Sequence, residues 1–281
     1  MSGRPKTARK YIFELTGVLR ELAPYGIDLF SSCPLGCKYC FSDKEAPWRD
    51  RVYNRSFFGP LCYELGIFDY LRREYNDVDR MVLISPYTEP YPEPYRKPLL
   101  RTRSLLKNFL KHKIPCAILT KMGLRIMRDV WLIRRFGASI KVGTTLVAMD
   151  DEWKRFERKC APPLERVEML KKMKEKGVRT FVCLMPILDS DWTIKVIEYT
   201  KDFADEYFVG PHFVDGKICR LGRGRESVAK AFEKIVEVLR YHGKRFYVEE
   251  RLREYTGAFL TLNETRRGDF YTYNDGLGEL Q

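Results

Sequence analysis

The sequence predicts an α/β fold: a partial (β/α)6 barrel of the TIM type with N- and C-terminal extensions. Three observations carry the prediction. Apolar strand-like runs alternate with segments of helical spacing six times along the chain. Parallel strands need long crossovers, and helices are their usual form. A cysteine-rich loop follows the first strand directly, and such barrels carry their chemistry at the C-terminal ends of the strands. The chain has 281 residues, enough for one large domain with a sizeable core. We divide it into a basic extension (1–22), the barrel (23–245) and a C-terminal extension (246–281).

The elements run in order. Gly26 to Phe30 reads as a short strand leading into the cysteines. Residues 41–58 show no period and read as loop. Leu61, Leu65, Phe68 and Leu71 have helical spacing within 61–74. Arg80 to Ser85 is a buried strand, Leu99 to Lys111 a helix, and Cys116 to Thr120 a strand. Leu124 to Phe136 reads as one helix, with Arg134 and Arg135 near its end, where the dipole favours cations. Ala138 to Thr145 is strand. Leu164 to Lys176 is helix, stopped by Gly177 as a C-cap. Arg179 to Met185 is strand, Asp191 to Ala204 helix, Glu206 to Val209 strand, and Glu226 to Tyr241 helix. Residues beyond Arg251 have no legible pattern.

Composition narrows the class. No apolar run approaches the roughly 18 residues of a membrane span, and the first residues lack a signal-type apolar segment. A cytoplasmic protein without membrane partners is expected. Formal net charge is +13, a surplus that favours polyanions such as DNA or RNA. Lys- and Glu-rich composition with a single glutamine, Gln281, also fits a thermophile. Basic spots occur at Arg4 to Lys10, Arg96-Lys97, Arg101, Arg103, Lys171-Lys172 and Lys174. Another is Arg220-Leu221-Gly222-Arg223-Gly224-Arg225, whose glycines let backbone approach a phosphate.

The densest chemistry lies in Cys33-Pro34-Leu35-Gly36-Cys37-Lys38-Tyr39-Cys40. Three thiols at C-x3-C-x2-C spacing can wrap one metal centre. A four-iron cluster normally takes four thiolates, so three local cysteines leave one iron open. The competing reading is a structural zinc site, which needs a fourth ligand. His112, His212 and His242 are all distant in sequence, and no second C-x2-C pair is present. The other cysteines, Cys62, Cys116, Cys160, Cys183 and Cys219, are scattered and suggest neither a disulfide framework nor a second cluster. Cys116 and Cys183 sit in apolar runs, as small core residues do.

Cys33, Cys37, Tyr39 and Cys40 fill the C-x3-C-x-aromatic-C pattern, and the loop resembles that of the radical S-adenosylmethionine (SAM) enzymes. The resemblance implies a partial barrel of the radical SAM type. It also implies a [4Fe-4S] cluster on Cys33, Cys37 and Cys40, with SAM on the open iron. One electron, from a donor such as ferredoxin or flavodoxin, then cleaves SAM to methionine and a 5′-deoxyadenosyl radical. The segment Tyr87-Thr88-Glu89-Pro90 resembles the family's Gly-Gly-Glu-Pro, without its glycines; Glu89 then supplies the acid for the SAM amino group. Lys121 resembles the lysine that meets the methionine carboxylate in one subfamily. Thr88 and Thr145 become candidates for SAM hydroxyl contacts, and Tyr39 for packing by the adenine.

Three stretches resemble the spore photoproduct lyase-like branch, over residues 26–215: Thr88-Glu89-Pro90-Tyr91-Pro92-Glu93-Pro94, Leu119-Thr120-Lys121 and the segment from Glu157 to Arg166. That lyase repairs a thymine dimer in DNA and returns hydrogen from a cysteine. Pro86 stands at the matching position here, and Phe41 lacks the hydroxyl of a second family aromatic. Tyr87 is a possible relay, and Cys183, Cys116 and Cys219 are further thiol candidates. Tyr87 and Cys183 are therefore named as the catalytic pair for a modified reaction on nucleic acid or a nucleotide. The alternatives are a structural Fe–S or zinc nucleic-acid-binding module, and a radical SAM enzyme acting on a peptide or small metabolite.

Overall fold

The computed structural model describes residues 11–15, 19–20, 22–30, 33–40, 79–92, 96–214, 217–219 and 225–249. The expected helix at 61–74, the loop at 41–58, Phe41, Cys62, the basic arm and the run 220–224 lie outside them. So does the chain beyond 249, and nothing is described of the His212, Cys219 and Arg225 side chains.

The strands are β1 (Phe13–Glu14), β2 (Tyr25–Ile27), β3 (Val82–Ile84), β4 (Cys116–Leu119), β5 (Ile140–Thr145), β6 (Arg179–Ile187), β7 (Glu206–Val214), β8 (Lys217–Cys219) and β9 (Arg245–Val248). The α-helices are α1 (Arg96–Lys111), α2 (Val130–Ile133), α3 (Pro163–Glu175), α4 (Ser190–Thr200) and α5 (Arg225–Tyr241). β2 to β7 lie side by side in chain order, all parallel. These are the six strands expected from the sequence. β9 adds a further parallel strand on β7, while β1 and β8 pair antiparallel at β2 and β7. Among the described residues the sheet stays open, with no pairing between β2 and β9. β1 comes from the expected N-terminal extension, and β9 crosses the boundary drawn at 246.

Strand alternation sorts the side chains onto two faces. Val82, Ile84, Cys116, Ile118, Val142, Val182, Leu184 and Val209 join the main core. There they meet Leu105, Leu106 and Phe109 of α1, Met169, Leu170 and Met173 of α3, and Phe232, Ile235, Val236 and Leu239 of α5. That helical spacing gives each helix an apolar stripe. Each fully buried Leu or Phe contributes about 1.5–3 kcal/mol. Leu83, Ala117, Phe181, Cys183, Phe208 and Tyr247 form the cluster on the concave face, with Tyr87, Leu119 and Met185 packed against it. Cys116 therefore points into the helix layer, away from Cys183. This removes it as a hydrogen donor at the barrel mouth. Gly143 belongs to the crowded concave face: a Cβ there would lie 2.4 Å from the Phe181 ring and carbonyl.

Helix ends obey local chemistry. Asp189 caps α4, its carboxylate accepting from the backbone N–H groups of Asp191 and Trp192 at 2.9 and 3.0 Å. Gly177 has φ 74° beyond α3, and Gly177 N–H donates to the Lys174 carbonyl at 2.9 Å, as a C-cap requires. The expected single helix over 124–136 is instead three pieces: a 3₁₀ turn (Gly123–Asp129), α2, and a second 3₁₀ turn (Arg134–Ser139). Asp129 is buried at the first junction and accepts from Arg103 Nε at 2.5 Å, while Gly137 has φ 57° within the last piece. A buried ion pair and a left-handed residue outweigh the local helical spacing.

Candidate active site at the C-terminal ends of the strands

β2 ends at Ile27, and the chain enters the cysteine loop through Asp28, Leu29 and Phe30. Leu35 is buried, Lys38 N–H donates to the Phe156 carbonyl at 2.9 Å, and Cys40 N–H donates to the Cys37 carbonyl at 3.0 Å. The loop is therefore fastened to the segment after β5. Cys33 and Cys40 are half-buried and Cys37 is buried. Burial pushes the Cys33 thiol up to about 12, with Glu89 and Cys40 adding to the rise and Lys121 opposing it. Cys37 goes the other way, down to about 6. A hydrogen bond from Cys160 lowers it most, against burial, and Lys121 helps. Thiolate is the metal-ligating form, and Cys160 and Lys121 both favour it at Cys37.

The ends of β3 and β4 meet beside the loop. Ser85 turns the chain out of β3 with φ 58°, an uncommon conformation for a residue other than glycine. Its N–H donates to the Ile27 carbonyl at 2.8 Å. Asp28, buried at the end of β2, accepts from Thr88 Oγ1 at 3.0 Å and from Tyr87 N–H at 3.3 Å. Glu89 is buried. It accepts from Thr120 Oγ1 at 2.5 Å, Tyr91 N–H at 2.9 Å and Lys121 N–H at 2.9 Å. Burial raises its pKa against those three hydrogen bonds. The acid expected for a ligand amine thus also laces β3 to β4, and a carboxylate's four lone-pair sites leave room for a further donor.

Lys121, just past β4, reaches into a dense network. Its Nζ lies 3.7 Å from Cys37 Sγ, 3.9 Å from Glu157 Oε1 and 4.7 Å from the Tyr39 ring centroid. Burial would lower its pKa, but Tyr39, Cys37, Glu157 and Cys160 outweigh that and hold it well above the ordinary lysine value. Tyr39 donates its hydroxyl to Glu157 Oε1. Arg166, fully buried, donates from its guanidinium to Glu157 Oε2 at 2.5 Å, to the Thr145 carbonyl at 2.8 Å and to the Ala161 carbonyl at 2.7 Å. Burial pushes Glu157 up, and Arg166 and Lys121 more than reverse it, so Glu157 sits below the usual carboxylate range. Thr145 faces Cys183 across the β5–β6 pair, and its hydroxyl bonds the Cys183 sulfur. Burial raises that thiol to about 11. Tyr87 stacks on Phe13, centroids 6.1 Å apart, beside the cluster that holds Cys183.

Cys33, Cys37, Tyr39, Cys40, Tyr87, Thr88, Glu89, Lys121 and Thr145 lie at or beyond strand ends, whereas Cys183 sits mid-strand in β6, opposite Thr145. Cys160, Glu157, Arg166 and Asp28 join them without having been chosen. Cys160 Sγ lies 3.7 Å from Cys37 Sγ, so this cysteine is grouped and not scattered. The signal was available: Glu157 and Arg166 bracket the segment singled out by resemblance, and Cys160 lies inside it. Among the described residues, the one trio of ligand-type side chains with donor atoms within 4.8 Å is Cys37, Glu157 and Cys160. Cys33, Cys37 and Cys40 do not form such a trio. Three cysteines on one loop, with Cys37 beside Lys121, can supply thiolates to three irons of a four-iron cluster.

The chain is an open, mostly parallel α/β sheet with three cysteines on the loop after its first parallel strand. No family model matches the chain. An uncharacterized protein of Methanocaldococcus jannaschii is 28% identical over 189 residues, covering 66% of this chain and 69% of that protein. SuiB of Streptococcus suis shares the fold. Its SAM-bound structure gives a TM-score of 0.55 at 14% identity, over 78% of this chain and 48% of SuiB. The structure with its precursor peptide SuiA gives 0.57 at 15%, over 80% and 48%. A further SuiB structure gives 0.60 at 15%, over 87% and 54%. The chain thus spans about half of SuiB, and at these identities the likeness is one of fold. Among the described residues, no helix is long and apolar enough to cross a membrane.

Proposed function

We propose that this chain is a radical SAM enzyme that abstracts hydrogen from a nucleic acid or nucleotide substrate. The observation that carries the reading is the convergence of the cysteine loop with Glu89 and Lys121, from the next two strand ends, on one rim. Cys33, Cys37 and Cys40 would hold a [4Fe-4S] cluster, which supplies the electron for reductive cleavage of SAM.

The remaining roles belong to the chain. Lys121 keeps its charge and is free to turn from Cys37 to a carboxylate, so it can hold the methionine end of SAM. Glu89 offers its spare lone pair to the amino group. Thr88 and Thr145 offer hydroxyls, and Tyr39 an aromatic face. Tyr87 and Cys183 border the concave apolar cluster, where water is excluded and a thiol S–H or phenol O–H can return hydrogen. Pro86 replaces the donor cysteine of spore photoproduct lyase, so the reaction is a variant of that chemistry.

Anaerobic reconstitution tests the cofactor. About four irons per chain, with SAM converted to 5′-deoxyadenosine on reduction by dithionite or flavodoxin, is the expected result. A protein that takes up one zinc and binds no SAM would be a binding module instead. For the substrate class, the support is the surplus of 51 basic over 38 acidic residues. Several expected basic spots are already paired: Arg103 with Asp129, Lys172 with Glu168 and Lys174 with Asp205. Nucleic-acid affinity that fell steeply between roughly 50 and 200 mM salt would support the reading, and a flat response would end it. A peptide substrate is the second reading, because the similar fold of SuiB is known with its precursor peptide SuiA.

A further inference from the structure

Cys160 has no part in the proposed chemistry, yet its sulfur meets that of Cys37 on the cysteine loop. Cys37 Sγ and Cys160 Sγ are 3.7 Å apart, and Glu157 brings a carboxylate oxygen within 4.8 Å of both. All three residues are buried. Metal–sulfur bonds of about 2.3 Å in a tetrahedral site put two sulfurs about 3.8 Å apart, along one edge of the tetrahedron. The observed separation is that edge. Without an ion the same distance is filled by the S–H···S hydrogen bond, so the two sulfurs can become ligands of one ion with little movement.

The surroundings also fit an ion. Glu157 is oriented by Arg166 on one oxygen and Tyr39 on the other, as outer partners orient a ligating carboxylate. Each oxygen keeps a lone pair. Arg166 is itself fixed by two backbone carbonyls, so the carboxylate cannot swing away. The segment carrying Cys160 is tied to the end of β4 through Ala161 N–H and the Lys121 carbonyl at 2.9 Å. Lys121 offsets part of the negative charge two thiolates would bring.

We propose that in the cluster-free chain Cys37, Cys160 and Glu157 bind one thiophilic divalent cation of the zinc type. Each thiol gives its proton to solvent as its metal–sulfur bond forms, with no change of oxidation state. Two sulfurs favour zinc over magnesium or calcium. The Cys37 sulfur would be common to both sites, so this ion and the cluster exclude one another. That exclusion rests on the proposed function; the ion site itself does not.

Cobalt(II) is the probe, titrated anaerobically into iron-free protein. Wild type is expected to take about one cobalt per chain, with sulfur-to-metal charge-transfer bands and tetrahedral d–d bands that zinc abolishes. Cys160→Ala is expected to weaken cobalt binding by more than about tenfold and to remove one sulfur's share of the charge-transfer absorption. Cys160→Ser serves if the alanine variant does not fold. Cys33→Ser and Cys40→Ser should bind cobalt like wild type. Cys160→Ala should still take up about four irons per chain when zinc is withheld. Wild-type cobalt binding by Cys160→Ala overturns the proposal, as does its loss in Cys33→Ser, which would make the loop the ion site. Loss of iron from Cys160→Ala would make Cys160 a cluster ligand and also overturn it. Failure of SAM cleavage would leave the cobalt result standing, so the two readings fail separately.

Discussion

Two buried ion pairs sit at opposite ends of the same strands. Where the strands start, Lys141 of β5 meets Glu206 of β7, Nζ to Oε2 at 3.2 Å. The Phe208 and Phe181 rings lie 4.8 and 5.5 Å from the ammonium, and Arg179 reaches the other Glu206 oxygen at 3.2 Å. At the mouth, Arg166 meets Glu157 at 2.5 Å, and the surroundings are Lys121, Tyr39 and two thiols. Both acids are shared by two cations, Glu206 by Lys141 and Arg179, Glu157 by Arg166 and Lys121. The lower pair lies against two aromatic rings, whereas the upper acid stands beside two thiols and a phenol. Buried charge at the first end ties β5 to β7; at the second it gathers polar groups around the cysteine loop.

The largest predicted difference comes from removing the cation at each end. Arg166→Met leaves Glu157 buried with only Lys121 as counter-charge, and breaking a buried pair costs about 3–5 kcal/mol. Urea denaturation should show that loss together with a weakened hold on the cluster loop. Lys141→Met should cost less, about 1–3 kcal/mol, because Glu206 keeps Arg179. Equal losses at both ends would break the comparison.

Proton linkage sharpens it. The Glu157 pKa is lowered in the folded state, so its stabilisation is present above the free-glutamate value of about 4.3. It is lost as pH falls through the lower folded value. Lys141 is also lowered, by burial first and against the pull of Glu206. Between its depressed value and about 10.4 the unfolded chain binds more protons, so stability rises with pH across that window. Both groups have the same sign, one in acid and one in alkali. Subtracting the pH–stability curves of Glu157→Gln and Lys141→Met from wild type should separate the two windows. The smallest effect belongs to the surface. Lys172→Ala removes a half-exposed pair with Glu168 on α3 and should change stability by no more than about 0.5 kcal/mol.

The six parallel strands were legible because strands buried on both faces read as short apolar runs, and Val82–Ile84 and Cys116–Leu119 are such runs. The Gly177 cap was legible because it is a local event. β1 and β8 were not, since two or three residues carry no period and exist through their partners. The helix over 124–136 was misread because the Arg103–Asp129 pair that breaks it joins positions 26 residues apart.

The site divides in the same way. The cysteine loop, Glu89, Lys121 and Thr145 could be found from the chain, because each lies at or just after the end of a recognisable strand, and barrels expose those positions at their mouth. The Cys37–Cys160 contact spans 123 residues, and the Tyr39–Glu157 link of the Arg166–Glu157–Tyr39 bridge spans 118. The sequence by itself determined the order of the strands and which residues stand at their ends, because short-range period and spacing govern both. Only the tertiary structure decided which of those ends meet. Strand register and helix packing bring them together, and neither leaves a trace in any single stretch of sequence.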